Sequence, residues 1–334
     1  MSGKTNIWIQ NFLADRHQAV VVDGAKSSKI PVRSGVPQGS VLGPSLFLSY
    51  INDLPGRVSS NARLFADDTA LDRKIETDED SKKLQSDLLE LEKWESEWDM
   101  KFHPDKCNVL HVSRARKPRK SDYYLHGHKL ESVSATKYLG VTLSDTGEFT
   151  EHLKNVANSG NQMLGFIRRN LRVNSKSVKE LAYTMLVRPK LEYASTVWDP
   201  YKQDQIANLE KVQRRAARVV TNRHRNTSSV TDMLESLGWQ SLEKRRKVAR
   251  LTLLYKILSN CVNIHSDQLK PTIIRSRRTS VAHPRQLERC PCKKDLRLNA
   301  FFPRSIREWN SLPENVVTAE SSAQFCQLLT ESAE

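Results

Sequence analysis

Arg63-Leu64-Phe65-Ala66-Asp67-Asp68-Thr69-Ala70-Leu71 is the stretch that decides how this chain is read. The apolar residues on either side of the Asp pair read as two short strands, and the carboxylates fall at the turn between them, where Asp is locally favoured. A hairpin of this kind presents both carboxylates at its tip and keeps its flanks buried. Hard cations of the Mg2+ type take oxygen ligands, so paired carboxylates are natural anchors for them. Nucleotidyl transfer uses two such cations about 4 Å apart, one at the attacking 3′-oxygen and one bridging the triphosphate and its departing pyrophosphate. A solitary Asp-Asp is also ordinary turn chemistry, so the pair takes its meaning from its surroundings.

Those surroundings are ordered. Upstream stands Ser34-Gly35-Val36-Pro37-Gln38-Gly39-Ser40-Val41-Leu42-Gly43-Pro44, a loop punctuated by glycine and proline that feeds an apolar run from Leu46 to Leu54. Downstream come an amphipathic segment ending in Trp98, then His103-Pro104-Asp105-Lys106, then Tyr138-Leu139-Gly140-Val141. In order and spacing these motifs resemble the reverse transcriptase of non-LTR retrotransposons, most closely the jockey-like group, from just after the family's first catalytic motif to the end of its reading frame. The resemblance covers nearly the whole chain, and the loop followed by Phe65–Asp68 is highly specific.

The resemblance implies an α+β fold: a partial polymerase palm, an antiparallel sheet with packing helices, followed by an all-helical thumb-like bundle. It implies RNA-directed DNA polymerase chemistry with two Mg2+ ions, or Mn2+ in their place, on an RNA template, a DNA primer and deoxynucleoside triphosphates. Priming at nicked chromosomal DNA in the intact element implies a nuclear location. Asp67 and Asp68 match the metal-binding pair, with Asp67 the direct ligand. Phe65 and Ala66 match positions beside the primer terminus and incoming nucleotide. Gln38 and Gly39 match contacts to nucleotide and template, where glycine admits close backbone approach and a helix N-terminus favours an anion. Leu139 and Gly140 match the primer-grip turn. Lys106 matches the region where polymerases place a lysine that protonates departing pyrophosphate, and a plain surface lysine fits the position equally well.

The family's palm also uses a third carboxylate, in a strand of the form Phe-x-Asp-x-x-x-Ala-Phe-Asp, which this sequence does not contain. By resemblance that strand, with its aromatic gate against ribonucleotides, lies before Met1, as do the fingers and the endonuclease. Asp15 follows a helix-like segment and Asp23 precedes Gly24 in a turn, so neither replaces it. The expectation is a polymerase fragment that is inactive alone; the alternative is a non-catalytic nucleic-acid-binding remnant or domesticated fragment.

Composition agrees with a nucleic-acid partner. The chain has 334 residues, with 53 Lys and Arg against 38 Asp and Glu for a net charge of +15, and its pI is near 9.6. Such basicity suits phosphates, and on its own would equally suit a ribosomal protein or a membrane-surface binder. Five cysteines, an odd number, do not suggest a disulfide framework, and Cys290-Pro291-Cys292 is too tight for a zinc ribbon. With no signal-like N-terminus and no window of about 18 apolar residues, the reading is a soluble, intracellular protein without membrane spans. Ser2-Gly3-Lys4-Thr5 ends like a phosphate-binding loop but lacks the earlier glycine and preceding strand.

Along the chain, the pattern predicts a helix at 5–14, strands at 18–24 and 29–33, helices at 41–53 and 80–98, a strand at 107–112, a hairpin at 123–130 and a strand at 138–143. Past residue 148, helical periodicity takes over at 150–171, 175–194, 203–220 and 241–258. The domains read as 1–147, a partial palm; 148–260, a thumb-like helical domain; and 261–334, a C-terminal extension. Arg168, Arg169, Arg214, Arg215, Arg218, Lys244, Arg245 and Arg246, with Arg223, Arg225, Lys247 and Arg250 nearby, are candidates for gripping nucleic-acid backbone, against the plainer reading of solvated helix faces. The tail carries Arg275-Ser276-Arg277-Arg278, Phe301-Phe302-Pro303-Arg304 and Arg307 to Pro313, to which no chemistry is assigned; Phe301, Phe302 and Trp309 read as core rather than base-stacking residues.

Overall fold

The computed structural model describes residues 3–173, 175–223, 228–264, 266–272 and 283–331; Arg225 and the run Arg275 to Arg278 lie outside the described residues. The chain divides into two compact units, Met1–Val133 and Ser134–Glu334. Among the described residues no helix is long and apolar enough to cross a membrane.

The first unit opens with α1 (Lys4–Leu13), none of whose residues is buried. Four two-residue strands follow, β1 (His17–Gln18), β2 (Val21–Val22), β3 (Ala25–Lys26) and β4 (Ile30–Pro31), with the β2–β3 hairpin set inside the β1–β4 pair. The longer strands predicted here are cut short because Val20 to Val22 face solvent and have no core to line. Next come α2 (Gly43–Ile51), a 3-10 turn at Leu54–Arg57, β5 (Asn61–Phe65) and β6 (Asp68–Asp72). Then α3 (Asp78–Trp98) starts at a capping box, in which the Thr77 hydroxyl accepts from the Asp80 N–H and the Asp80 carboxylate accepts from the Thr77 N–H.

The apolar stripe of α3 organises the unit. Leu91 and Trp94 join Ile51 and Leu54 in one small core, against which Leu64 of β5 and Leu71 of β6 pack. Leu84 and Leu88 reach a second, formed by Tyr123, Leu125 and Leu130. The unit closes with β7 (Asn108–Leu110), β8 (Tyr124–Leu125), β9 (His128–Lys129) and β10 (Glu131–Val133).

The second unit begins with the hairpin β11 (Ala135–Tyr138) and β12 (Val141–Ser144). This replaces the single strand predicted at 138–143, because Leu139 and Gly140 both adopt positive φ and reverse the chain. Helices follow: α4 (Thr150–Asn170), α5 (Lys176–Ala182), a π-turn (Tyr183–Val187), α6 (Arg188–Glu192), α7 (Ser195–Trp198), α8 (Gln203–Thr221), α9 (Val230–Ser236), α10 (Leu242–Leu258), α11 (Asp295–Leu298), α12 (Phe301–Trp309), α13 (Glu314–Val317) and α14 (Ser322–Glu331). Residues of α4, α6, α8 and the π-turn form one core around Leu191, Leu209 and Val212. Residues of α10 and α12 to α14 form another around Leu254, Ile306, Trp309 and Phe325.

The chain is thus a mixture of helices and small sheets. Its strands pair as six separate two-stranded ladders among the described residues, one of them, β7 with β10, parallel, where a single antiparallel sheet was expected. Strands of two to five residues satisfy only their inner backbone groups and leave every ladder with two unpaired edges.

Candidate active site

The Asp pair sits where its hairpin folds back. Phe65 pairs with Asp68, so Ala66 and Asp67 are the two turn residues and Asp68 is the first residue of β6. Ala66 takes φ 50°, a left-handed conformation a non-glycine residue rarely adopts, and both carboxylates are exposed. Burial alternates along β5: Ala62 and Leu64 turn inward while Asn61, Arg63 and Phe65 turn out. The flanks are therefore buried on one face only, and Phe65 is 61% exposed beside the carboxylates.

The hairpin is held from behind by a residue outside the motifs. Asp87 of α3, 4% exposed, accepts from the backbone N–H of Ser59 at 2.8 Å and of Ser60 at 2.9 Å, just before β5. Arg73, just past β6, donates to both Ser59 and Ser60 hydroxyls at 3.2 and 3.1 Å. One carboxylate thus ties the helix to both ends of the hairpin. Its signal in the sequence is an Asp standing one residue before Leu88 on the apolar stripe of a helix.

The glycine-rich loop is built to turn sharply onto α2. Gly39 has φ 77°, and the Ser40 hydroxyl donates to the Pro37 carbonyl at 2.8 Å while accepting from the Gly43 N–H at 3.0 Å. A β-carbon at Gly43 would lie 2.8 Å from the Pro37 oxygen, so that position admits only glycine without a shift. Arg16 braces the loop from outside, donating to the Gly35 carbonyl at 2.6 Å. Gln38 and Gly39 are exposed and stand one turn ahead of the helix rather than inside it. Lys106 ends a 3-10 turn at Pro104–Lys106, with its side chain exposed.

Leu139 and Gly140 belong to the second unit. Their φ values of 45° and 81° make a two-residue turn closing the Tyr138–Val141 pair. Tyr193, which ends α6, donates its hydroxyl to the Leu139 carbonyl at 3.0 Å, and a β-carbon at Gly140 would lie 3.1 Å from its ring. The same hairpin is pinned through buried His152 of α4, whose Nδ1 accepts from the Thr142 N–H at 3.2 Å. Burial, and secondarily the Lys137 charge, hold this imidazole below its ordinary value, so the ring stays neutral and its acceptor lone pair is kept.

The candidate backbone-gripping cations divide. Arg168, Arg169 and Arg214 are exposed; Arg215 is exposed and donates to the Asn161 side-chain oxygen at 2.8 Å; Lys244 and Arg218 are half-buried. Arg245 is half-buried against the Glu192 carboxylate, its Nη2 at 3.0 Å. Arg246 does not belong in this set. It is 1% exposed, with Nε 2.9 Å from Asp199, and Arg250, also 1% exposed, pairs with Asp199 and Glu308. Both stand on the face of α10 that carries Leu242 and Leu254, a spacing of four that places them on the apolar stripe.

Among the described residues no third His, Cys, Asp or Glu joins Asp67 and Asp68 in a metal-holding cluster. The donor set nonetheless fits Mg2+, which keeps several waters and is commonly held by one or two carboxylates together with substrate phosphates.

Residues 1–143 match the family described as reverse transcriptase (RNA-dependent DNA polymerase). The chain is similar to the RNA-directed DNA polymerase from mobile element jockey of Drosophila melanogaster, 34% identical over 159 residues, 44% of this chain and 17% of that one. It is also similar to the probable RNA-directed DNA polymerases from transposon BS and transposon X-element of the same organism. The first is 30% identical over 229 residues, 64% of this chain and 25% of that one; the second is 27% identical over 251 residues, 71% and 27%. The chain therefore spans between 17% and 27% of the length of these relatives. The match over residues 1–143, less than half of the chain, and these relatives make the chain similar to the reverse transcriptases of jockey-like, non-LTR elements.

Proposed function

We propose that this chain is the carboxylate-bearing part of an RNA-directed DNA polymerase that extends a DNA 3′-end on an RNA template, and that it is inactive alone. Residues 1–147 contribute part of the palm, 148–260 a thumb-like domain and 261–334 a C-terminal extension. The observation that carries the reading is the β5–β6 tip, where Asp67 and Asp68 stand adjacent and exposed next to an exposed Phe65. Asp67 and Asp68 would hold the Mg2+ ions, which when bound supply activation of the attacking 3′-oxygen and charge neutralisation at the departing pyrophosphate. The remaining work falls to the chain's own groups. Phe65 and Ala66 limit how the primer terminus and incoming nucleotide approach, and Gln38 and Gly39 contact nucleotide and template. Lys106 carries a proton to the leaving group. The backbone at Leu139-Gly140, clamped by Tyr193, supports the primer strand. Exposed Arg168, Arg169, Arg214 and Arg215 hold phosphates without reading bases. Action on chromosomal DNA places the protein in the nucleus.

A second reading, a non-catalytic nucleic-acid-binding remnant, is favoured by the want of a third carboxylate beside the pair among the described residues. Primer extension on an RNA template with Mg2+ separates the two. The expected result is no extension by this chain alone, and extension by a longer chain bearing the Phe-x-Asp-x-x-x-Ala-Phe-Asp strand, lost in Asp67→Asn and Asp68→Asn. Extension that survives both substitutions would overturn the metal-site assignment; nucleic-acid binding without extension in the longer chain would leave the remnant reading in its place.

A further inference from the structure

Phe301-Phe302-Pro303-Arg304 takes no part in the chemistry above, yet its first and last residues line a cavity of about 300 Å3 within the second unit. Phe149, Trp198, Tyr201 and Phe301 line it, together with the arginines Arg250 and Arg304. Two independent features make this cavity electropositive.

The first is the start of α12. Asn299, Ala300 and Phe301 line the cavity, Ala300 is the N-cap residue, and no side chain caps the helix. The N–H groups of Phe301 and Phe302 have no intrahelical acceptor, and Pro303 carries no N–H to share them with. A nine-residue helix thus directs its positive end and two orphan donors at the cavity wall.

The second is the charge of the lining. Arg246, Arg250 and Arg304 converge on Asp199 and Glu308, with Glu210 a third carboxylate acting on Arg246; the cavity itself is lined by Arg250, Arg304, Arg297 and Lys202 against Asp199 and Glu148, four positive charges to two negative ones. Both Nη atoms of Arg246 and the Nε of Arg250 are buried without a hydrogen-bond partner. An anion seated against Arg250 and Arg304 would meet the excess of positive charge along the cavity lining, where partial exclusion of water strengthens the attraction. At the rim Arg297 is exposed, and Lys202 pairs with Glu148 at 3.4 Å.

We propose that this cavity binds a nucleoside phosphate, the phosphate at the α12 N-terminus beside Arg304 and the flat base against Phe149, Tyr201 and Phe301. An inorganic anion alone would leave those aromatic walls wet; the volume lies at the small end of ligand sites, suited to a single nucleotide. The nucleotide can be free or can be the unpaired end of a strand, and the two sources share this chemistry.

The test uses the full chain with four probes in calorimetric titrations: thymidine 5′-monophosphate, inorganic phosphate, thymidine and a 5′-phosphorylated oligothymidylate. Thymidine monophosphate is expected to bind at least about tenfold more tightly than phosphate or thymidine, because both halves of the site contribute. Ala300→Asp caps α12 with its own carboxylate, so it is expected to weaken binding at least about tenfold while thermal stability holds or rises. Tyr201→Leu should weaken the nucleotide and leave phosphate unchanged. Oligothymidylate binding that Ala300→Asp abolishes, with the mononucleotide inert, assigns the strand end as the source. Binding of every probe unchanged in Ala300→Asp, or no saturable binding of any probe, overturns the proposal. None of these readouts involves Asp67 or Asp68, so the proposal and the polymerase reading stand or fall separately.

Discussion

Asp87 shows how much of the candidate site depends on a residue that never touches substrate. Its carboxylate is pushed upward by burial, the largest single influence, yet hydrogen bonds from Ser60 and Ser59 override this and hold it below its ordinary value of 3.8. A depressed carboxyl stabilises the fold above the unfolded-state value, and that contribution is lost as pH falls through the folded one. Asp87→Asn places an amide donor against two N–H groups and two hydroxyls. It should cost the first unit about 1 to 3 kcal/mol, read from the urea midpoint followed by tryptophan fluorescence, and should flatten the acid limb below about pH 4. An unchanged midpoint would show that the hairpin does not depend on this tie. His152 works in the opposite pH range. Its folded value is depressed below 6.5, so the unfolded chain binds the proton first and stability is full above that value, falling as pH drops from 7 toward 5. His152→Asn, which keeps an acceptor for the Thr142 N–H, should remove that slope for the second unit in melts taken across this range.

Helix packing in the second unit sets a contest between propensity and volume at Gly160, in the middle of α4. Alanine there gains about 1 kcal/mol of helix propensity. Its β-carbon, however, would lie 2.7 Å from a Leu191 methyl and 3.3 Å from Val212, and both neighbours are fully buried with nowhere to retreat. Overpacking of this kind costs about 1 to 3 kcal/mol, so Gly160→Ala should lower the thermal midpoint of the second unit; a rise would mean the crossing of α4 with α6 and α8 is looser than it stands. The same elements show which features were legible in the sequence. The stripe from Leu84 to Trp98 and the periodicity at 203–220 and 241–258 gave α3, α8 and α10 within a few residues, because one face of each is buried throughout. The predicted helix at 175–194 runs from Lys176 to Glu192 but widens at Tyr183–Val187 into a π-turn, and α7 follows beyond it as a separate short helix. Pro189 lacks an N–H for the Met185 carbonyl and crowds it, so the turn before it widens, and Ala194 then adopts φ 51°. The Asp pair was legible because turn chemistry is local. Arg246 was misassigned because local sequence does not show which side of a basic helix meets an acidic residue 47 positions away.

At the scale of the molecule, the two units have unequal means of staying folded. Among the described residues the second carries clusters of thirteen and twelve buried apolar residues, while the first carries four and three. The first also exposes Ile7, Trp8, Val21, Val22, Ile30 and Val41, and its β1–β4 region consists of two-residue ladders too short to stand alone. Burial is the main favourable contribution to folding, so apolar side chains left in water give little to offset the entropy of ordering the backbone beneath them. Calorimetry should therefore resolve two transitions, with Trp8, Trp94 and Trp98 reporting the lower and Trp198, Trp239 and Trp309 the higher. Amides of α1 and β1 to β4 should exchange with almost no protection, and those of α8 and α10 only on global unfolding of their unit. Limited proteolysis should leave a resistant fragment close to Ser134–Glu334. A single transition, with α1 amides protected as strongly as those of α10, would mean that the exposed apolar residues of the first unit are covered in solution, and a partner for that face would then have to be sought.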